Sequence, residues 1–389
     1  MNYLDNCITD LFHLGLKKDE ILLFLIKHGY YLSRSSLKRH LKRLHLYRRK
    51  NFTSINDVIS FLESQLLGSG RLHGYKWMHL KCLHSGIIIT QETVRLLLNI
   101  IDPHGVSLRR KRKLNSRQYF NKGPNFLWHM DGYDKLKPYG ICISGCIDGY
   151  SRKVLWLKAS STNNDPKVIA GYYIENVRYL KGFPRTVRAD MGTENGYVED
   201  IQIYFHETAA VNQITDAYTV PPFIYGTSQN NQRIESWWSI LRKHCGQYWM
   251  NLFSRLKDDG LFTGNIVDKS ILQFCFMDII QEELNNVVLE WNMHLIRKNR
   301  HSNCPSGRPD VIFNFPQIHN SRDHLIVVEE EHLQICEEEC VFLDCPCSNN
   351  DVHDLCKIVL DELGSDKPTD PFYALNLYKE LRDEILTLL

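Results

Sequence analysis

The chain of 389 residues has no apolar run approaching the ~20 residues that cross a bilayer. Its opening, MNYLDNCITDLFHLG, lacks a basic stretch followed by an apolar one, so no secretory signal is expected. Twelve cysteines are scattered without the spacing of a disulfide framework, and none forms a Cys-x-x-Cys pair. These absences argue against a membrane span, a secreted scaffold and a zinc knuckle. They leave a reducing compartment, nuclear in a eukaryotic host and cytoplasmic otherwise, with most cysteines as small buried apolar groups.

Net charge is also scarce, at +2, but the balance hides a gradient. From Met1 to Lys122 there are 22 Lys/Arg against 8 Asp/Glu, and from Asp323 to Leu389 there are 4 against 17. A basic half and an acidic tail are the footprint of a nucleic-acid-binding protein.

Residues 1–50 read as three short helices. His28-Gly29 closes the second, and Ser33 caps the third. Leu37, Leu41 and Leu44 form one stripe of that third helix, while Arg34, Lys38, Arg39, Lys42 and Arg43 cover much of the rest. A basic helix after a short helix and a Gly-containing turn is the helix-turn-helix pattern, with its cations facing phosphates or base edges. Residues 51–103 repeat the idea, with Thr90 capping the last helix. Residues 104–124 hold five consecutive cations, Arg109, Arg110, Lys111, Arg112 and Lys113. This run suits a linker that follows a phosphate backbone, or a nuclear localisation signal.

From Phe126 the period changes to two. Phe126, Trp128 and Met130 fall on one face, and Leu127, His129 and Asp131 on the other. Two further strands, YGICISGCIDG and KVLWLKAS, complete an antiparallel meander. A helix follows, opened by Asp165-Pro166 and ended by Gly182; then FPRTVRAD, a strand ending on Asp190; then a second helix. QITDAYTVPPF contains a short strand with a Pro-Pro stop, the loop IYGTSQNN reads as a flap, and a helix carries Glu235. If the strand ending on Asp190 lies parallel to and beside the first, Asp131 and Asp190 become neighbours, and Glu235 comes from a helix crossing the same edge. Three carboxylates in one pocket repel each other unless a cation neutralises them, and hard oxygen ligands select Mg²⁺ or Mn²⁺.

WHMDGYDK, VRADMGTEN and SQNNQRIESWWSILRK resemble the three acidic motifs of retroviral-type integrases and DDE transposases. WNMHLIRKNRHSNCPSGRPDVIF is similar to that family's closing segment. The resemblance implies an α/β chain with an RNase H-like catalytic core over 125–316, a mixed five-stranded sheet with flanking helices. Helical DNA-binding units would precede it, and an acidic helical region, 317–389, would follow. It implies that Asp131, Asp190 and Glu235 are the catalytic triad and hold two Mg²⁺ or Mn²⁺ ions for cleavage and transfer of DNA strands. DNA ends and target DNA would be partners, with a homo-oligomer acting and no membrane involved. A non-catalytic DNA-binding protein that kept the fold is the alternative.

Arg242, seven residues after Glu235, would grip DNA from the same helix face, although Ser239 stands where relatives often carry lysine. Asn195 is expected to cap the following helix, Glu194 to face away, Asp148 to be structural, and Trp237 and Trp238 to pack. The retroviral His-His-Cys-Cys zinc module is absent. The tail, with His332, Cys336, Cys340, Cys345, Cys347, His353 and Cys356, has no paired Cys-x-x-Cys, so zinc is not expected there.

Overall fold

Ser33 caps helix α3 (Arg34–Arg43) by accepting the Ser36 amide at 3.1 Å, and Gly29 turns the chain before it at a φ of 82°. Glycine adopts that left-handed conformation without a Cβ clash, which is why the preceding helix ends there. The computed structural model describes residues 3–109, 121–211, 221–226, 231–298 and 304–388. In it α1 (Tyr3–His13) and α2 (Lys18–Lys27) precede α3. Leu37 and Leu41 bury with Ile8, Leu11, Ile21 and Leu25, so the three helices share one core. A second trio follows, α4 (Ile55–Leu67), α5 (Tyr75–His84) and α6 (Gln91–Ile101), around Val58, Leu62, Met78, Val94 and Leu98. Thr90 caps α6 through the Thr93 amide at 3.1 Å. The start of the expected linker is instead helix α7 (Pro103–Arg109). Arg110, Lys111, Arg112 and Lys113 lie outside the described residues, as does the side chain of Arg109.

The chain divides into two compact units, Met1–Phe120 with Leu289–Asn320, and Asn121–Val288 with Ser321–Leu389. In the first, segment 289–320 joins the amino-terminal helices. Arg308 Nε meets Glu20 at 3.1 Å, and the Phe315 ring stands edge-on to Phe24.

The second unit is built on a five-stranded sheet of order β3-β2-β1-β5-β6. β1 (Trp128–Tyr133), β2 (Cys142–Asp148) and β3 (Val154–Ser160) form the expected antiparallel meander. β4 (Gly182–Phe183) lies outside this sheet, and β5 (Val187–Ala189) runs parallel to β1 with His129 opposite Arg188. The mixed sheet and its flanking helices are the RNase H-like arrangement. β6 (Phe223–Tyr225) is parallel to β5 and begins after Pro221-Pro222, while residues 213–220, where a strand was expected ahead of the prolines, lie outside the described residues. Proline at the head of an edge strand removes only a donor, and the Pro222 carbonyl still accepts the Val187 amide at 3.0 Å.

Even-numbered residues of β1, Trp128 and Met130, bury against α8 (Pro166–Leu180) and α9 (Gly196–Val211) with Tyr173, Ile174 and Phe205. Asp165 caps α8 as expected, but Lys181 takes the left-handed position after it at a φ of 59°. Gly182 pairs with Val327 of β7 (Ile326–Val327), where a Cβ would meet the Ile326 carbonyl at 2.5 Å.

The acidic C-terminal region packs into this unit. Arg178 of α8 forms ion pairs with Glu330 and Glu337 of α14 (Glu330–Glu338), and Leu333 and Cys336 enter the core beneath the sheet. α15 (Asn350–Glu362) and α16 (Pro371–Leu388) follow, and Arg382 pairs at 2.8 Å with the fully buried Asp268 of α12 (Ile266–Asn292). Gln281 of α12 accepts the Ala159 amide and donates to the Leu157 carbonyl, closing the free edge of β3.

Candidate active site

The odd-numbered residues of β1 face helix α10 (Gln232–Leu241) and its continuation, a π-helical turn over Arg242–Gly246 that leads into α11 (Gln247–Asp258). Contacts run in order along the two elements. His129 Nδ1 lies 2.7 Å from Asn231 Oδ1, and the same amide donates to the Met130 carbonyl at 2.8 Å. Asp131 accepts the Trp238 indole N–H at 2.8 Å. Tyr133 packs against Trp238 and against Gly246, where a Cβ would meet its hydroxyl at 2.8 Å. Asn231, Glu235 and Trp238 recur at helical spacing, so the face that pins α10 to β1 also presents Glu235.

Space for the indole comes from Gly145, opposite Asp131 in the β1–β2 register. A Cβ there would meet Trp238 Cη2 at 2.6 Å. Asp190 follows β5 directly, and Asn195 donates to both its carbonyl and its carboxylate at 3.3 Å. Asn195 therefore holds Asp190, in place of the capping role expected of it. Glu194 folds back over Gly192, where a Cβ would meet its Oε1 at 1.9 Å, and lies 3.5 Å from the Asn195 amide nitrogen. It thus shares a partner with Asp190, contrary to the expectation that it faces away.

Asp131, Asp190 and Glu235 are all half-buried. Burial pushes the Asp131 carboxyl up to about 7, reinforced by the charges of Glu235 and Asp190 and opposed by the Trp238 hydrogen bond. Burial and the Asp190 charge also raise Glu235, while Lys135 acts against them. Asp131 lies on β1, Asp190 directly after the neighbouring parallel strand β5, and Glu235 on the helix that Asn231 and Trp238 pin to β1. Partly desolvated carboxylates suit a hard divalent cation.

His129 is fully buried, and burial lowers it to about 3, so it is neutral in its contact with Asn231. Asp148 accepts the Asn125, Tyr150 and Ser151 amides and the Ser151 hydroxyl, so it shapes the β2–β3 turn and stands apart from the cluster. Arg242 is exposed and donates to Gln247 Oε1 at 2.9 Å; its charge acts on Tyr133. Residues 227–230 of the expected flap lie outside the described residues.

On α3, Arg34, Lys38, Arg39, Lys42 and Arg43 are all exposed. Arg34 lies 3.4 Å from Asp19, and Arg43 2.5 Å from Asp5. Lys38, Arg39 and Lys42 form no ion pair among the described residues. The sequence reading missed the polar work of Trp238, Asn231 and His129. Its available signal was the i, i+4, i+7 recurrence of Asn231, Glu235 and Trp238 opposite the His129–Asp131 face.

Residues 118–308 match the model of a family described as Integrase core domain. No curated protein matches the chain.

Proposed function

We propose that the protein, whose residues 118–308 match the integrase core domain model, is a metal-dependent polynucleotidyl transferase of the integrase and transposase kind. It cuts DNA and joins the cut 3′ end to a second strand. The observation that carries this reading is the placement of Asp131 on β1, Asp190 directly after the parallel strand β5, and Glu235 on the helix that Asn231 and Trp238 pin to β1.

In this reading Asp131, Asp190 and Glu235 would hold two Mg²⁺ or Mn²⁺ ions, which would supply charge neutralisation at the reacting phosphate and a more acidic attacking hydroxyl. Trp238 orients Asp131, Asn195 orients Asp190, and Asn231 fixes the helix that carries Glu235. Exposed Lys135, whose charge acts on Glu235, is the side chain that meets the incoming phosphate. No covalent protein intermediate is needed, because the nucleophile is water or a DNA hydroxyl.

DNA is held by the α1–α3 unit acting as a helix-turn-helix. On α3, Lys38, Arg39 and Lys42 form no ion pair among the described residues, and Arg34 and Arg43 add exposed charge. Arg109 to Lys113 and Arg242 extend the contact. Joining two ends calls for at least two copies in the active complex.

The test is transfer of a labelled duplex end, taken from the sequence flanking the gene, into plasmid DNA with Mg²⁺ or Mn²⁺. The parent should give joined products, and Asp131→Asn, Asp190→Asn and Glu235→Gln should lose roughly a hundredfold or more while still binding DNA. Variants as active as the parent would refute the assignment. DNA binding without metal-dependent chemistry would favour a non-catalytic role.

A further inference from the structure

The segment between α14 and α15 brings together three side chains that the proposed DNA chemistry does not use. Cys345, Cys347 and His353 each offer a ligand atom, and these atoms all lie within 4.8 Å of one another. We propose that Cys345, Cys347 and His353 bind a structural Zn²⁺ ion that locks the C-terminal helices onto α12.

Donor chemistry selects the metal. Thiolate and imidazole suit zinc, whereas the Asp131–Asp190–Glu235 set offers only hard oxygens. In a tetrahedral zinc site neighbouring ligand atoms stand about 3.4–3.8 Å apart, so small side-chain rotations close the present spacing. The sequence argued against zinc because Cys345 and Cys347 are separated by one residue and not two. The fold supplies what that spacing lacks, since α15 opens at Asn350 and returns His353 toward the two cysteines within its first turn.

The surroundings hold the ligands in place. Cys347 and His353 are buried, and Cys345 is half-buried. The Cys347 thiol lies against the Ser270 carbonyl at 3.3 Å. Next to it, the Ser348 amide donates to Gln273 Oε1 at 2.7 Å, and Gln273 Nε2 donates to Ser348 Oγ and to the Gly140 carbonyl. The His353 ring stands edge-on to Phe274, and Asp354 Oδ1 lies 3.4 Å from its Nδ1, a carboxylate beside the imidazole as metal-bound histidines commonly have. All twelve cysteines are free, so no disulfide competes for these thiols.

The site is tested on the full chain by elemental analysis and by Co²⁺ substitution. About one zinc per chain is expected, retained by Asp131→Asn and lost from the Cys345→Ser/Cys347→Ser double variant. Co²⁺ added to the metal-free parent should give a thiolate-to-cobalt charge-transfer band, and chelation should lower the melting temperature by several degrees. The cobalt spectrum needs no variant, so a folding failure of the double variant leaves the test standing. A parent without that band, or a double variant holding as much zinc as the parent, overturns the proposal.

Discussion

Asp131 concentrates the electrostatic cost of the site in one side chain. Its carboxyl is raised to about 7 by burial first and by Glu235 and Asp190 next. A carboxyl raised above its unfolded value stabilises the fold fully below about pH 4, and that contribution is lost as pH rises through about 7. In the proposed reading a divalent ion would take the place of the proton. Millimolar Mg²⁺ should therefore raise the melting temperature more at about pH 8 than at about pH 5.5, and Asp131→Asn should abolish the difference. Equal gains at both pH values would separate the ion from Asp131. Trp238→Phe keeps the ring and removes the donor to Asp131. Loss of a hydrogen bond to a charged group, about 1.5 kcal/mol or more, should slow strand transfer roughly tenfold with little change in melting temperature. The motifs that carry the three acids, each with its own flanking residues, were readable in the sequence. The role of Trp238 was not, since an indole in a helix reads as an apolar body and its single N–H leaves no trace in the pattern.

At the scale of the element, the approach of α10 to β1 depends on Gly145. A methyl group there would press on Trp238 Cη2 at 2.6 Å and on Leu157 Cδ2 at 2.7 Å, both in packed surroundings. Gly145→Ala should destabilise the protein by about 1–3 kcal/mol in chemical denaturation. It should also cost more activity than an equally destabilising change elsewhere, because it displaces the indole that holds Asp131. An unchanged midpoint would show that the helix yields freely. The period-two pattern of residues 126–131 made β1 legible, and its odd and even faces fall where the alternation put them. β6 follows Pro221-Pro222 directly, a position that reads poorly in sequence because Pro-Pro resembles a terminator, whereas an edge strand tolerates proline at its head. The β4–β7 pair was illegible, since each strand has two residues and the partners are more than a hundred positions apart.

For the whole molecule, the charge gradient reads in sequence as a basic front and an acidic appendage. The acidic region is in fact part of the sheet-bearing unit. Its complement includes Arg178 and Lys167 of α8, and a linear sequence does not announce pairings across 152 and 172 positions. Arg382 of α16 and Asp268 of α12 make the buried version of the same bond. Arg382→Ala should destabilise by about 3–5 kcal/mol, since it strands a buried carboxylate, and a loss below about 1 kcal/mol would mean that α16 contributes little to this unit. Anomalous diffraction from crystals soaked in Mn²⁺ asks whether Asp131, Asp190 and Glu235 form one divalent-metal site. Manganese peaks bounded by these three carboxylates and lost in Asp131→Asn are expected, whereas manganese elsewhere, with none among the three, would refute the assignment.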